Sequence, residues 1–151
     1  MPAPDTAARQ RWMSVLARAS ATQLEDLLRT APSLPASTPL RGPESGLVMT
    51  RARAGGGGSP FNLGEMSVTR CTVRSSTGFI GHAYVQGRDS QQARLAAELD
   101  AALQDPALHN SLEAAIIAPL AAAQHAARAE KASKAAATRV QFFTLATMRS
   151  S

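Results

Sequence analysis

The fold class is set by residues 46–86, whose sequence is GLVMTRARAGGGGSPFNLGEMSVTRCTVRSSTGFIGHAYVQ. Within it, three runs alternate their side chains at a period of two, as half-buried strands do. The predicted strands are Gly46–Ala54, Met66–Ser75 and Phe79–Gln86. Their connections are a glycine-rich loop, Gly55–Glu65, and a turn, Ser75–Gly78. Strands that follow one another through such short connections favour an antiparallel meander.

Helical patterns precede these strands. Apolar residues at helical spacing predict helices over residues 5–19 and 21–31. Two alternative capping boxes open the second helix: Ser20 with Gln23, or Thr22 with Glu25. Four prolines then make residues 32–43 an extended connector.

Helical patterns also follow the strands. One helix is predicted from Asp89, its capping residue, to about Gln104, and another begins at Asp105–Pro106. The latter continues to Ile117, and an alanine-rich helix runs to about Thr138 after an interruption near Pro119. The apolar segment Val140–Leu145 is a candidate C-terminal strand.

The predicted fold class is α+β, with an antiparallel sheet flanked by N-terminal and C-terminal helices. The 151 residues fit one domain. Its successive parts are helical (5–31), the connector (32–43), strands and glycine-rich loop (44–88), helices (89–138) and a C-terminal strand or extended segment (139–146).

The composition indicates a thin core. Hydrophobic residues make up 44% of the chain, but 31 of them are alanine, whereas Leu, Ile, Val and Phe together number 28. Buried apolar area is the main favourable term in folding, so we expect a protein that completes its fold against partners. A single cysteine, Cys71, excludes an internal disulfide framework and a cysteine-based zinc site. With no membrane-length apolar run and no signal-peptide pattern, we expect a cytoplasmic protein.

Positive charge is concentrated in the middle of the chain. The net charge is +5, and residues 41–88 contribute +4 of it, from six arginines and two glutamates. Arg51 and Arg53 lie at strand period, as do Arg70 and Arg74. If their strands pair, four guanidiniums share one face and form an anion site or an interface for an acidic neighbour. A solvated outer face is the alternative.

The glycine run Gly55–Gly58 is either a phosphate cradle or a flexible hairpin tip. It lacks the Lys-Ser/Thr ending of a P-loop, and a strand follows it where a P-loop has a helix. The residues after it, Phe61–Glu65, are too specific for a plain linker. A phenylalanine exposed on a loop favours an anchor in another subunit.

Catalytic patterns are poor in this sequence. His82 is a lone histidine in a predicted strand, and Cys71 is expected to be an inert core residue. Glu44 and Glu65 are expected to pair with nearby arginines. Arg88 stands where a helix N-terminus favours an anion, although Asp89 competes for the same amides as a cap.

Several segments, in this order and spacing, resemble the PhnG family of the bacterial carbon–phosphorus lyase system. They are ARQRWMSVLA (Ala8–Ala17), ESGLVMTRARAGG (Glu44–Gly56), FNLGEMSVTRCTVR (Phe61–Arg74), GHAYVQGRD (Gly81–Asp89), IAPL (Ile117–Leu120) and TRVQFFT (Thr138–Thr144). The resemblance implies a cytoplasmic core complex with PhnH, PhnI and PhnJ. With PhnH, PhnI and PhnL, such subunits support displacement of adenine from MgATP by methylphosphonate, which gives ribose 1-methylphosphonate 5-triphosphate.

The resemblance also implies where the chemistry resides. It assigns the nucleosidase step to PhnI, and the iron–sulfur cluster and S-adenosylmethionine to PhnJ, and it carries no catalytic residue or cofactor onto this chain. The chain is therefore predicted to be an accessory subunit of an obligate hetero-oligomer, docking mainly on PhnI and binding no membrane or nucleic acid. The candidate interface or anion-binding residues are Glu44, Arg51, Arg53, Gly55, Gly56, Phe61, Asn62, Gly64, Glu65, Arg70, Arg74 and Arg88. A stand-alone basic module that binds nucleotide or RNA is the alternative.

Overall fold

The computed structural model of the protein describes residues 6–55 and 57–138. The chain divides into two compact units, residues 1–121 and residues 122–151. The first unit contains the sheet and the helices packed on it, and the described part of the second is helical. The expected organisation as one domain therefore stays a prediction.

The predicted α+β fold is confirmed. The helices are α1 (Thr6–Leu16), α2 (Ala21–Leu28), α3 (Ser90–Leu103), α4 (Pro106–Leu112) and α5 (Ala118–Ala137), and the strands are β1 (Ser37–Arg53), β2 (Pro60–Ser75) and β3 (Ile80–Gln86). The strands form an antiparallel sheet in the order β1-β2-β3, which is the predicted meander. The candidate strand Val140–Leu145 lies outside the described residues.

Side-chain caps fix where the helices begin. Of the two predicted boxes at α2, the first is present: the amide of Gln23 donates to Ser20 Oγ at 3.2 Å, and the amide of Ser20 donates to Gln23 Oε1 at 3.0 Å. Asp89 caps α3 through the amide of Gln92, as expected. Asp105 caps α4, with a proline in its first turn. These contacts satisfy amide donors that the helix itself leaves unpaired.

The first strand begins at Ser37, so the prediction that it begins at Gly46 was wrong. Residues 37–43, read as connector, pair with β2 instead. Prolines were taken to prevent pairing, but the described sheet has β1 at its edge, where a missing amide costs no ladder bond. Irregularities in register on both sides of Arg41, and Gly42 at φ +67°, fit the prolines into the strand.

The glycine-rich loop is also shorter than predicted. It was expected to span Gly55–Glu65, but pairing of β1 with β2 continues to Arg53 opposite Pro60. The loop therefore occupies residues 54–59, and Phe61–Glu65 belongs to β2. The strand was not predicted here because the segment contains Pro60 and Gly64 and because its polar and apolar residues do not alternate regularly.

The core lies between one face of the sheet and α3. Alternate residues of β2 and β3 are buried on that face, including Cys71, Val73, Ala83 and Val85. Five of the buried side chains on α3 are alanines: Ala93, Ala96, Ala97, Ala101 and Ala102. Small side chains let the helix approach the strands closely, and α1 and α2 pack on α3. The helix predicted to continue to Ile117 ends at Leu112 and is followed by a π-helical turn, Glu113–Ile117, whereas Pro119, the predicted point of interruption, lies in the first turn of α5.

Candidate interaction surface

The hairpin of β1 and β2 extends beyond the third strand. β3 pairs with β2 only from Val68 to Arg74, so past that point β1 and β2 pair only with each other. We call residues 47–53 and 60–66 the arm. None of its residues is buried. A two-stranded hairpin is only marginally stable in water, so an arm of this kind gains from a covering surface.

The arm exposes large apolar side chains. Relative exposure is 58% for Leu47, 51% for Met49, 43% for Phe61 and 65% for Leu63. Such side chains grouped on one projecting element mark interaction surfaces more often than ordinary solvent-facing strands. Phe61 was the predicted anchor. The predicted site residues did not include Leu47, Met49 and Leu63. Their sequence signal is an apolar residue in a strand that no helix covers.

A β-bulge lies in the middle of the arm. Thr50 stands opposite Gly64 and Arg51 opposite Asn62, so Leu63 is passed over in the register. Thr50 Oγ1 donates to the carbonyl of Gly64 at 2.8 Å, which ties the two strands at this point. Bulges twist a hairpin and redirect a side chain, here that of Leu63.

The tip of the arm carries Arg51 and Arg53. Arg53 lies opposite Pro60, and its Nη1 donates to the carbonyl of Gly58 at 3.4 Å. Neither arginine forms an ion pair with a residue in the described ranges. In the loop that follows, Gly55 has φ +47°, which glycine adopts without strain. Gly56 lies outside the described residues.

The base of the hairpin carries a forked ion pair. Oε1 of Glu44 accepts from Arg41 Nε and from Arg70 Nε, each at 2.6 Å. These hydrogen bonds, Arg41 first, hold the pKa of the Glu44 carboxyl below its usual value of 4.5. The expectation that Glu44 pairs with nearby arginines is confirmed. Glu65 instead lies across from Met49 in the arm.

The four arginines expected on one face are not brought together. Arg70 is opposite Glu44, and Arg74 is opposite Thr38, whereas Arg51 and Arg53 are at the far tip. The antiparallel register separates the pairs, because β1 runs away from the end of β2 that carries Arg74. The prediction of an anion site built from all four side chains is therefore wrong. Arg88 is exposed in the connection from β3 to α3.

His82 and Cys71 lie on opposite faces of the sheet. His82 Nδ1 contacts Thr72 Oγ1 at 3.1 Å on the outer face of the sheet. Cys71 is buried, as expected, and burial, followed by the nearby Glu98 charge, raises the pKa of its thiol. In residues 6–55 and 57–138, no three His, Cys, Asp or Glu side chains are grouped as metal ligands.

A buried carboxylate was missed by the sequence reasoning. Asp100 of α3 is fully buried and accepts hydrogen bonds from the Arg9 guanidinium, from Trp12 Nε1 at 2.9 Å and from the amide of His82 at 2.8 Å. It thus joins α1, α3 and β3. Its sequence signal is an acid on the apolar side of a helix, four residues after Ala96 and three before Leu103. Because its oxygens are occupied by the chain's own donors, its role is structural.

Comparison with known proteins agrees with the resemblance. The profile of the family described as phosphonate metabolism protein PhnG matches residues 7–148. The chain belongs to the PhnG family. It is 48% identical over 139 residues to a protein of Rhizobium meliloti (strain 1021), covering 92% of this chain and 88% of that protein. That relative is named alpha-D-ribose 1-methylphosphonate 5-triphosphate synthase subunit PhnG.

The PhnG match includes the whole arm and its base. The features described above therefore lie in the part of the chain that carries the family likeness. Among the described residues, no helix combines the length and apolar character that crossing a bilayer requires.

Proposed function

We propose that this PhnG-family chain is an accessory subunit of the carbon–phosphorus lyase core complex. It supports formation of ribose 1-methylphosphonate 5-triphosphate and adenine from MgATP and methylphosphonate. The observation that carries the proposal is the identity with the Rhizobium meliloti synthase subunit along nearly the full length of both chains. The exposed apolar arm agrees with the role, because a subunit must offer surface to its neighbours.

The proposed setting is a cytoplasmic hetero-oligomer. PhnI is the principal partner, and PhnH, PhnJ and PhnL are the others. MgATP is the substrate of the assembled complex, and the iron–sulfur cluster and S-adenosylmethionine belong to PhnJ. The chain's own part is to hold partners in place. Supporting this division, the carboxylates of Glu44 and Asp100 and the rings of His82 and His109 contact neighbouring groups of the chain itself.

The test is reconstitution with and without this chain. PhnH, PhnI and PhnJ are co-expressed with it, PhnL is added, and adenine release from MgATP is measured with methylphosphonate present. We expect this chain to co-purify with the other subunits and adenine release to fall when it alone is omitted. Undiminished release without it would contradict the proposal, and so would turnover by the purified chain by itself.

The alternative, a stand-alone basic module for nucleotide or RNA, is not favoured by the comparisons. The separation of its arginines also weakens it, because Arg70 is already paired with Glu44 and lies far along the strand from Arg51. Salt-dependent binding of RNA by the isolated chain would revive it.

A further inference from the structure

The arm carries apolar side chains on both of its faces. Successive residues of a strand point to opposite sides, so Leu47 and Met49 lie on one face and Val48 on the other. Val48 stands opposite Met66, and both are half-buried. An ordinary solvated hairpin keeps one face polar. A flat partner would cover one face of this arm and leave the other in water, so its pattern calls for an enclosing cleft.

The free edge of the arm lacks the prolines that protect the base of the same strand. At the base of β1, Pro39, Pro43 and irregular register protect the free edge from unwanted pairing. The β1 side of the arm, residues 47–53, contains no proline. Within the arm, the charges of Arg51 and Arg53 and the register irregularity between Thr50 and Arg51 guard the edge near the tip, so the uncharged stretch 47–50 is the part left open to a covering surface.

The charges of the arm indicate what kind of protein would cover it. Arg51 and Arg53 stand at the tip without an acidic partner in the described ranges, and Glu65 is the only acid in the arm. A second copy of the chain would bring the same arginines and a net charge of +5 to the contact, which is repulsive. A different protein with carboxylates at the closed end of its cleft is complementary.

We propose that the arm inserts into an apolar cleft of another subunit, with carboxylates of that cleft receiving Arg51 and Arg53. This inference rests on the proposed function, since it names the contact by which the accessory subunit is held. Met49, Phe61 and Leu63 are the apolar anchors, and the bulge at Leu63 sets the twist that the cleft must match. Arg70 and Arg74 lie outside the contact.

The main test removes the arm while keeping the sheet. Replacing residues 48–66 by Asn-Gly closes a two-residue hairpin between Leu47 and Ser67, which already stand opposite each other. The trimmed chain is co-expressed with PhnH, PhnI and PhnJ, and circular dichroism checks its fold. We expect a folded chain that no longer co-purifies. Undiminished co-purification of the trimmed chain would overturn the inference but leave the subunit role intact.

Point variants decide the matter even if the trimmed chain does not fold. Met49→Thr with Leu63→Thr keeps strand propensity and is expected to weaken binding to the co-expressed subunits by at least about tenfold. Leu40→Thr is its matched control, since Leu40 is 48% exposed on the same strand outside the arm. Arg51→Glu with Arg53→Glu should also weaken binding, whereas Arg74→Glu should not.

Two further results would refute the inference. Equal effects of the arm variants and their controls would show that the arm is no special contact. Arm-dependent dimers of the isolated chain in a sizing experiment, with hetero-assembly unaffected by the arm variants, would identify a second copy as the occupant. By contrast, failure of the unmodified chain to assemble or to support adenine release would count against the proposed function itself.

Discussion

The packed layer of α1, α3 and β3 differs from the projecting arm in what its side chains contact. Those of the packed layer contact other elements of the chain, whereas the large apolar side chains of the arm are exposed. In the packed layer, Asp100 receives donors from three elements of the chain, and Gly81 lets α3 approach β3 at Ala101. In the arm, Met49 and Leu63 are more exposed than buried, and the arginines at the tip lack acidic partners in the described ranges. Substitutions in the two regions should therefore have different effects: those in the packed layer should lower the stability of the fold, and those in the arm should lower assembly alone.

The largest loss of stability is expected from Asp100→Ala. The change removes the carboxylate that accepts from the Arg9 guanidinium, the Trp12 indole and the His82 amide, and it leaves Arg9 only its bond to the carbonyl of Ile80. Breaking a buried ion pair in this way costs about 3–5 kcal/mol. Urea denaturation of the isolated chain measures the free energy of unfolding. The control is Glu130→Ala, which removes an exposed ion pair with Lys134 and should change little. Equal losses for the two variants would contradict the role assigned to Asp100.

Gly81→Ala should come second. An added Cβ would lie 2.6 Å from the amide nitrogen of Ala101 and 2.9 Å from its Cβ, and would also meet the carbonyl of Ala97. Overpacking against helix backbone costs roughly 1–3 kcal/mol and forces α3 away from the sheet. Thermal unfolding is the measurement. Gly46→Ala is the matched control, because a Cβ there meets nothing within 4 Å. A melting temperature lowered as much by Gly46→Ala would count against close packing as the cause.

These two sites show what the sequence could and could not predict. Alternation at period two identified the buried faces of β2 and β3. Buried and exposed positions alternate along a strand, so the pattern is visible in neighbouring residues of the sequence. The partners of Asp100 could not be predicted in this way, because Arg9 lies 91 residues away and only the tertiary fold brings them together. The arm was misread for a related reason: pairing with β1 decided that Phe61–Glu65 is a strand, against its local glycine and proline signals.

A smaller effect on the packed layer should follow Ser20→Ala. The change removes the acceptor of the Gln23 amide at the start of α2, at a cost of about 1 kcal/mol. Thr22→Ala provides the comparison, because the alternative box with Glu25 does not form. Urea denaturation of both variants should therefore rank Ser20→Ala as the more harmful. The reverse order would mean that α2 begins differently in solution.

A modest pH effect is expected where the sheet meets the arm. The pKa of Glu44 is lowered by Arg41 and Arg70, so the fork stabilises the fold at pH values above the ordinary 4.5. That contribution is lost as pH falls through the lowered pKa, and it is small because the groups are exposed. Titration of the Glu44 carboxyl by NMR should give a pKa below 4.5. In Arg41→Gln with Arg70→Gln the value should return toward 4.5, and an unchanged value would exclude the fork as the cause.

The smallest change in stability is expected from the arm itself. Met49→Thr with Leu63→Thr should shift the free energy of unfolding of the isolated chain by no more than about 0.5 kcal/mol, because neither side chain is buried in the chain alone. The same variant should unfold at a lower temperature than the unmodified chain once both are in complex, since bound partners add their binding energy to the folded state. Thermal unfolding of the chain alone and of the purified complex measures both quantities.

A large loss of stability in the isolated chain would mean that the arm folds back and packs on its own protein, and that the contrast between the two regions is false. An equal melting temperature in complex would mean that the arm remains in solvent after assembly. A hairpin whose apolar side chains contact another subunit requires both results together: an almost unchanged free energy of unfolding in the isolated chain and a lowered melting temperature in the complex.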